Sequence, residues 1–331
     1  MGVRLSRGST LHNEASLLIY NSPYTTEGGR HKEDMDMTVL RVMASRHSAF
    51  YTPLLGAIAG GFLQEEEFEP VYAPLPPGKT VAQLLVAGEI DVAQSAVSSS
   101  WGPLEQGQQP PTVHFAQINE RDGFLIAGRR PDPAFSWDKL LSGGFMFVHG
   151  GQPQAMLAYA MHKQGVDLAR GQAVNAGTTA NMMTAWRQGQ GAYFHEQGPY
   201  PQQLAHEQVA HIVASVGEVL GPVAFSSLTA TREWLQKPEA RRFMRAYRKA
   251  RAWINTAAAA EIARAEQGFF PDVDPTVLTQ TIAYYQQLGC WSPPVTIARA
   301  TYEAALDVFL HSRLITRRHP YEQVVVPPPE E

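Results

Sequence analysis

Cysteine is almost absent from this chain: Cys290 is the only one in 331 residues. No intramolecular disulfide can form, and no cysteine-based metal cluster can be built. Cys290 precedes Trp291 in an apolar run, so it is expected to be a small buried hydrophobe. A nucleophilic role would need a histidine brought to it in space. Charge is also sparse, at 18 % of residues with a formal net charge of −4, which lacks the basic excess of a general nucleic-acid binder. No stretch of 18 consecutive apolar residues occurs, so no membrane-spanning helix is expected. The sequence has no G-x-x-x-x-G-K-[ST] phosphate loop, no H-E-x-x-H zinc helix and no G-x-S-x-G elbow.

What remains is a globular composition, 44 % hydrophobic, with length enough for two ordinary domains and a sizeable core. Residues 1–36 are charged and carry one short apolar run, Leu17 to Tyr20, too short for a secretory signal. They are expected to be a disordered extension, or to reflect a start placed upstream of Met35 or Met37. With no export signal visible, the chain as written is expected in the cytoplasm.

From Met37 onward, short β-rich runs alternate with helical spacings, and such alternation implies parallel sheets. Strands are expected at Thr38–Ala44, Phe68–Tyr72 and Ile90–Ala93, with helices at Pro53–Phe62 and Lys79–Ala87 between them. Val113–Gln117 and Gly123–Ala127 follow as strands. Arg129 to Pro133, with two prolines, then breaks the pattern, and a crossover is expected there. A second set has strands at Phe145–Val148, Gln172–Asn175 and Ala192–Phe194 and helices at Gln154–Lys163 and Thr178–Gln188. Strands at Gln208–Ser215 and Val223–Thr229 follow, the second of which returns the chain to the first set. Helices follow at Thr231–Leu235, Pro238–Ala265, Asp274–Leu288 and Val295–Leu310. The basic run from Arg241 to Arg251 shares its helix with Phe243, Met244, Tyr247 and Trp253, and reads as a solvated face.

This order of pieces resembles the substrate-binding proteins of ABC importers, in the group that handles aliphatic sulfonates, nitrate and thiamine-pyrimidine precursors. The resemblance covers residues 38–310 and rests on five stretches in the family's order. They are the Pro53 to Gly61 helix with Phe62 and Leu63, the segment Val81 to Ala93, Trp137 to Leu141 with Gly143 and Gly144, Met183 to Ala192, and Trp234 to Ala250. The resemblance implies an α/β chain with a two-lobed type 2 periplasmic-binding-protein fold. Two mixed, mostly parallel sheets would carry helices on both faces, with a hinge of two crossovers near Ala127–Arg130 and Val223–Ser226. Lobe 1 is expected at 37–128 plus 224–315, lobe 2 at 129–223, and a flexible tail at 316–331. Family members normally act outside the cytoplasmic membrane, against the N-terminal reading. The family's pyrimidine synthase uses a histidine and a lysine just after the third strand and a cysteine-rich run near the return strand. Here Gln94 to Trp101 and Ala224 to Thr231 hold neither, so that activity is not expected.

In doubly wound sheets, ligands bind beyond the carboxyl ends of strands, where helix N-termini offer free N–H groups. Three loops there are expected to contact the ligand. The first holds Ser45, His47, Ser48, Phe50 and Tyr51, with Ser48 near a helix cap. The second holds Ser95, Ser98, Ser99 and Ser100, three consecutive serines able to donate together, with Trp101 as a stacking wall. The third holds Gly150, Gly151 and Gln152, where glycine permits close backbone approach. Glu196 is expected to face a cationic or hydrogen-bond-donating group, and Thr178 to line the cleft. Among these loops, Arg46 is the only cation. No catalytic residue, metal or cofactor is expected, and nothing in the chain should bind nucleic acid. The expected function is a monomeric solute-binding protein that closes on a small sulfonate-, nitrate- or pyrimidine-like ligand for a permease and ATPase. The alternative is an enzyme on the same fold, a decarboxylase, desulfinase or precursor synthase, with His47, His149, His195 and Glu196 as its acid–base candidates.

Overall fold

The structure, a computed structural model, describes Leu18–Ile19 and residues 37–330. Its eleven strands in chain order are β1 (Leu18–Ile19), β2 (Thr38–Ala44), β3 (Phe68–Pro74), β4 (Val92–Ser95), β5 (Thr112–Asn119), β6 (Phe124–Gly128), β7 (Phe145–Met146), β8 (Ala173–Val174), β9 (Tyr193–Gln197), β10 (His211–Ser215) and β11 (Ser226–Thr231). They form two sheets. The first has the order β1-β3-β2-β4-β11-β5 and the second β10-β6-β9-β7-β8.

Both sheets are mixed. β2 runs parallel to β3 and β4, and β7 runs parallel to β8 and β9. Antiparallel pairs gather where the chain changes lobe: β11 pairs with β4 and β5, and β6 with β9 and β10. Helices lie in the chain between the parallel strands they connect, β2 to β3, β3 to β4, β7 to β8 and β8 to β9. Thr80 starts the helix Val81–Val86 with a reciprocal capping box to Gln83, which satisfies two otherwise orphan N–H groups.

The chain crosses between sheets twice. The first crossing lies between Asn119 and Phe124, because Phe124 to Gly128 pair with β9 in the second sheet. The hinge expected at Ala127–Arg130 is therefore displaced: Ala127 and Gly128 are inside a strand of lobe 2. Pro131 and Pro133 end that strand, but a strand end is not a crossover. The second crossing runs from Val216 to Phe225, close to its expected place. The two crossovers lie side by side, with the Val223 N–H donating to the Glu120 carbonyl at 2.8 Å and the Phe225 N–H to the Asn119 carbonyl at 3.1 Å.

The expected helix Pro238–Ala265 is two helices, Pro238–Thr256 and Ala259–Glu266. Ala257 and Ala258 between them are extended, so the backbone turns although every residue there favours helix. The longer helix buries Phe243, Met244, Tyr247 and Ile254 and leaves the Arg241 side to solvent. Cys290 is fully buried, and burial pushes its thiol pKa well up.

The tail expected to be flexible is packed. Thr316 and His319 both bond Glu105, and a short helix spans Tyr321–Val324. Val324 and Val325 are buried, and Val325 bridges His114 on the open side of β5. An uncovered edge strand is a liability that folds manage by covering it, and here a proline-rich segment does so. At the other edge of the same sheet, Leu18–Ile19 pairs antiparallel with Val71 and Tyr72. The rest of the expected N-terminal extension lies outside the described residues.

Candidate functional site

A cavity of ≈ 390 Å³ opens between the lobes, lined by Ser45, Arg46 and His47 from lobe 1 and by Thr178, Thr179 and Tyr200 from lobe 2. The loop after β2 is held rigidly. The Ser45 N–H and hydroxyl both donate to Gln94 Oε1, at 2.9 and 2.7 Å. Ser48 accepts the Phe50 N–H, as a cap should, and its hydroxyl donates to the Gly198 carbonyl of the other lobe at 2.8 Å. The His47 ring nitrogens lie 3.0 Å from the Tyr72 hydroxyl and 2.8 Å from the Phe269 carbonyl, and the ring stacks on Phe270. Burial holds its pKa below the usual histidine range. Thr178 caps the helix Thr179–Arg187 by accepting the Asn181 N–H.

Arg46 is the residue that organises this mouth. Its Nη2 lies 2.8 and 3.0 Å from the two carboxylate oxygens of Glu196 and 3.2 Å from Thr179 Oγ1. Glu196 is fully buried. Its remaining hydrogen bonds come from Thr179 at 2.7 Å and the Gln197 N–H at 2.8 Å. The cationic partner expected for Glu196 is thus the protein's own Arg46, across the cleft. Among the described residues Arg46 Nε and Nη1 make no hydrogen bond, and the side chain keeps 29 % of its surface exposed. An arginine fork with one nitrogen engaged has donors left for an anion. The signal in the sequence was its being the one cation of the cleft loops.

The second and third loops meet at a seam. The Ser98 hydroxyl donates to Gln152 Oε1 at 2.8 Å, and Gln152 Nε2 donates to the Phe225 carbonyl at 2.7 Å. The three serines do not donate together. They sit in a 3-10 turn, Val97–Ser100, whose three residues per turn point successive side chains about 120° apart. Ser99 contacts His114 and Ser95, and the Ser100 hydroxyl is buried without a partner. His114 also meets Ser227 at 2.8 Å, and burial pushes its pKa down to about 3.

Several expected contacts are elsewhere. Trp101 is no stacking wall: it is buried, donates to the Tyr302 hydroxyl at 3.0 Å and packs edge-on against Phe309. Phe50 is a core residue against Phe225 and Tyr285. Tyr51 is buried with its hydroxyl toward Gln197 and Ser226, and burial raises its pKa. Gly150 and Gly151 line a separate cavity of ≈ 530 Å³ with His149, Gln154, Asp167 and His311. His195, which the sequence left out of the binding set, stacks on Phe124 at 4.5 Å with neither ring nitrogen partnered. Burial, then the charge of Arg46, pushes its pKa down to about 3. Among the described residues no three His, Cys, Asp or Glu side chains are placed to hold a metal. No helix there is long and apolar enough to cross a membrane.

Two sheets joined by paired crossovers, with polar side chains meeting between them, define the two-lobed periplasmic-binding class of fold. The chain matches the NMT1-like family over residues 47–267, and it belongs to that family. It is 29 % identical over 299 residues to the Bacillus subtilis (strain 168) protein named "Putative binding protein YtlA", covering 89 % of each chain. Its structure is similar to the alkanesulfonate-binding protein SsuA from Xanthomonas axonopodis pv. citri bound to MOPS (TM-score 0.68, 16 % identity, 88 % of this chain and 98 % of that one). It is also similar to the periplasmic nitrate-binding protein NrtA from Synechocystis PCC 6803 (TM-score 0.60, 14 % identity, 88 % and 92 %).

Proposed function

We propose that this chain is a solute-binding protein whose lobes close on a small organic anion and deliver it to an ABC-type permease and its ATPase. The observation that carries the reading is Arg46. It stands at the mouth of a cavity lined from both lobes, is held in place by Glu196 and Thr179, and keeps Nε and Nη1 for a ligand. Glu196 then acts as a positioning residue. Both of its oxygens are already bonded within the protein, so a ligand would not contact it. Membership in the NMT1-like family and the likeness in fold to sulfonate- and nitrate-binding proteins support the same class. Arg46 favours a sulfonate-, carboxylate- or nitrate-like end over a neutral heterocycle, because a charge-assisted bond is roughly twice as strong as a neutral one. Such a protein works as a monomer, each chain carrying both lobes of its cleft.

The test is mass spectrometry of small molecules released from natively purified protein, followed by calorimetry with the identified compound. An anion recovered unchanged, with binding lost in Arg46→Gln, is the expected result. A compound converted on incubation, or binding indifferent to Arg46→Gln, overturns the reading.

A further inference from the structure

Asp122 lies in the first crossover, between β5 and β6. It is fully buried: one carboxyl oxygen takes the Phe124 N–H at 2.6 Å and the other has no partner. A buried carboxylate lacking a cation is strongly disfavoured, and the group holds a proton instead. Tyr284, Tyr285 and Cys290 face it, and burial raises their own pKa values, so none of them offers compensating charge. Glu218 of the second crossover lies beside Tyr284, and Arg251 near Cys290 is bonded to the Ser292, Gln117 and Ile118 carbonyls rather than to Asp122. Glu120 and Arg121 flank it in sequence, and neither bonds it. Burial accordingly pushes Asp122 up to about 8.

The cover over Asp122 is made of bonds between the lobes. From the helix Pro275–Leu288, the Tyr284 hydroxyl donates to Ser215 Oγ at 2.7 Å. The Tyr285 hydroxyl accepts the Gly198 N–H at 2.7 Å and donates to the Gly123 carbonyl at 3.0 Å. The second crossover closes the other side, where a Cβ on Gly217 would stand 2.1 Å from the Asp122 carbonyl oxygen. Ser215 and Gly198 belong to lobe 2 and the tyrosines to the helices of lobe 1. Rotation of the lobes therefore has to break this cover and admit water.

We propose that the hinge is proton-coupled: the closed form holds Asp122 as the neutral acid, and opening releases that proton to solvent as the carboxylate becomes hydrated. The inference rests on the hinged-closure reading above. Closing takes up one proton from solvent, so acid favours the closed form. With an ordinary carboxyl in the open state, the closed-to-open ratio falls about tenfold per pH unit between roughly pH 5 and 8.

The pH test needs no ligand. Spin labels on Val86→Cys and Ile212→Cys, exposed positions on opposite lobes, in a Cys290→Ala background that leaves no other thiol to label, report the distance between lobes by pulsed electron resonance. The full-length chain should shift toward the longer distance from pH 6 to pH 9, and adding Asp122→Asn should remove the shift. A shift that survives Asp122→Asn overturns the proposal. Should Asp122→Asn not fold, Asp122→Ser serves in its place. Carboxyl carbon NMR of the unsubstituted protein is a second measurement, with Asp122 protonated at pH 7 as the expected result and an ordinary aspartate titration as the overturning one. Ligand-free lobes holding one distance at every pH overturn this proposal, and lobes that keep that distance on adding the anion recovered from the native protein overturn the hinged-closure reading as well. Lobes that move independently of pH overturn this proposal alone.

Discussion

Arg46 of one lobe is bonded to both carboxylate oxygens of Glu196 of the other, through one guanidinium nitrogen at 2.8 and 3.0 Å. Glu196 is fully buried while Arg46 is partly exposed. Removing only the cation would leave a buried, unpaired carboxylate, whose penalty of about 3–5 kcal/mol exceeds the net worth of the pair. Arg46→Ala is expected to destabilise by that order, and the double variant Arg46→Ala/Glu196→Gln by clearly less. Urea denaturation of the three proteins checks this, and equal losses in single and double variants would count against the pair being coupled.

The seam bond between Ser98 and Gln152 joins the lobes without charge. Ser98→Ala should cost about 0.5–1.5 kcal/mol. Gln152→Ala should cost somewhat more, because the Phe225 carbonyl also loses its donor. A double-mutant cycle should show the two effects to be non-additive, as expected for contacting residues. Strict additivity would mean that the bond contributes nothing.

Trp101 separates the core reading from the wall reading. Trp101→Ala is expected to lose about 3–5 kcal/mol of stability, as for other large buried aromatics. Trp101→Phe keeps most of the packing, loses the bond to Tyr302 and should leave the affinity for the recovered anion unchanged. A selective loss of affinity in Trp101→Phe would restore the wall.

Two buried histidines predict acid sensitivity. His114 and His195 have folded pKa values of about 3 against an ordinary 6.5. Between those values the unfolded chain binds more protons than the folded one. Stability is therefore complete above pH 6.5 and falls as pH drops, by up to about 1.4 kcal/mol per unit for each group. His114→Gln should flatten this slope in denaturation measured from pH 7 to pH 4. Asp122 acts with the opposite sign, since its folded pKa is raised. Its contribution is present at low pH and declines as pH rises from about 4 toward 8, so Asp122→Asn should gain relative stability at alkaline pH.

The tail covers the β5 edge. Truncation after His319 removes Val324 and Val325, both buried, and exposes an edge strand able to pair with other chains. Lower stability and concentration-dependent self-association in light scattering are expected. A monomeric, equally stable truncation would show that the cover is dispensable.

What the sequence determined by itself is local in origin. Alternating strand and helix periods implied two α/β sheets, and a hydroxyl residue near the start of a helical run marked the cap at Ser48. Both signals depend on neighbours within a turn or two of chain. The order of the family's stretches added the two-lobed arrangement. What only the tertiary structure decided depends on pairs far apart in sequence. Glu196 meets Arg46 across 150 residues, and Trp101 meets Tyr302 across 201. A loop tryptophan reads the same whether its ring faces a cleft or the core, and a proline-rich acidic tail reads as disordered until an edge strand is there to be covered. Periodicity sets which face of an element is apolar, but it holds no information about which distant side chain will share a buried site. That choice belongs to the packing of the two lobes.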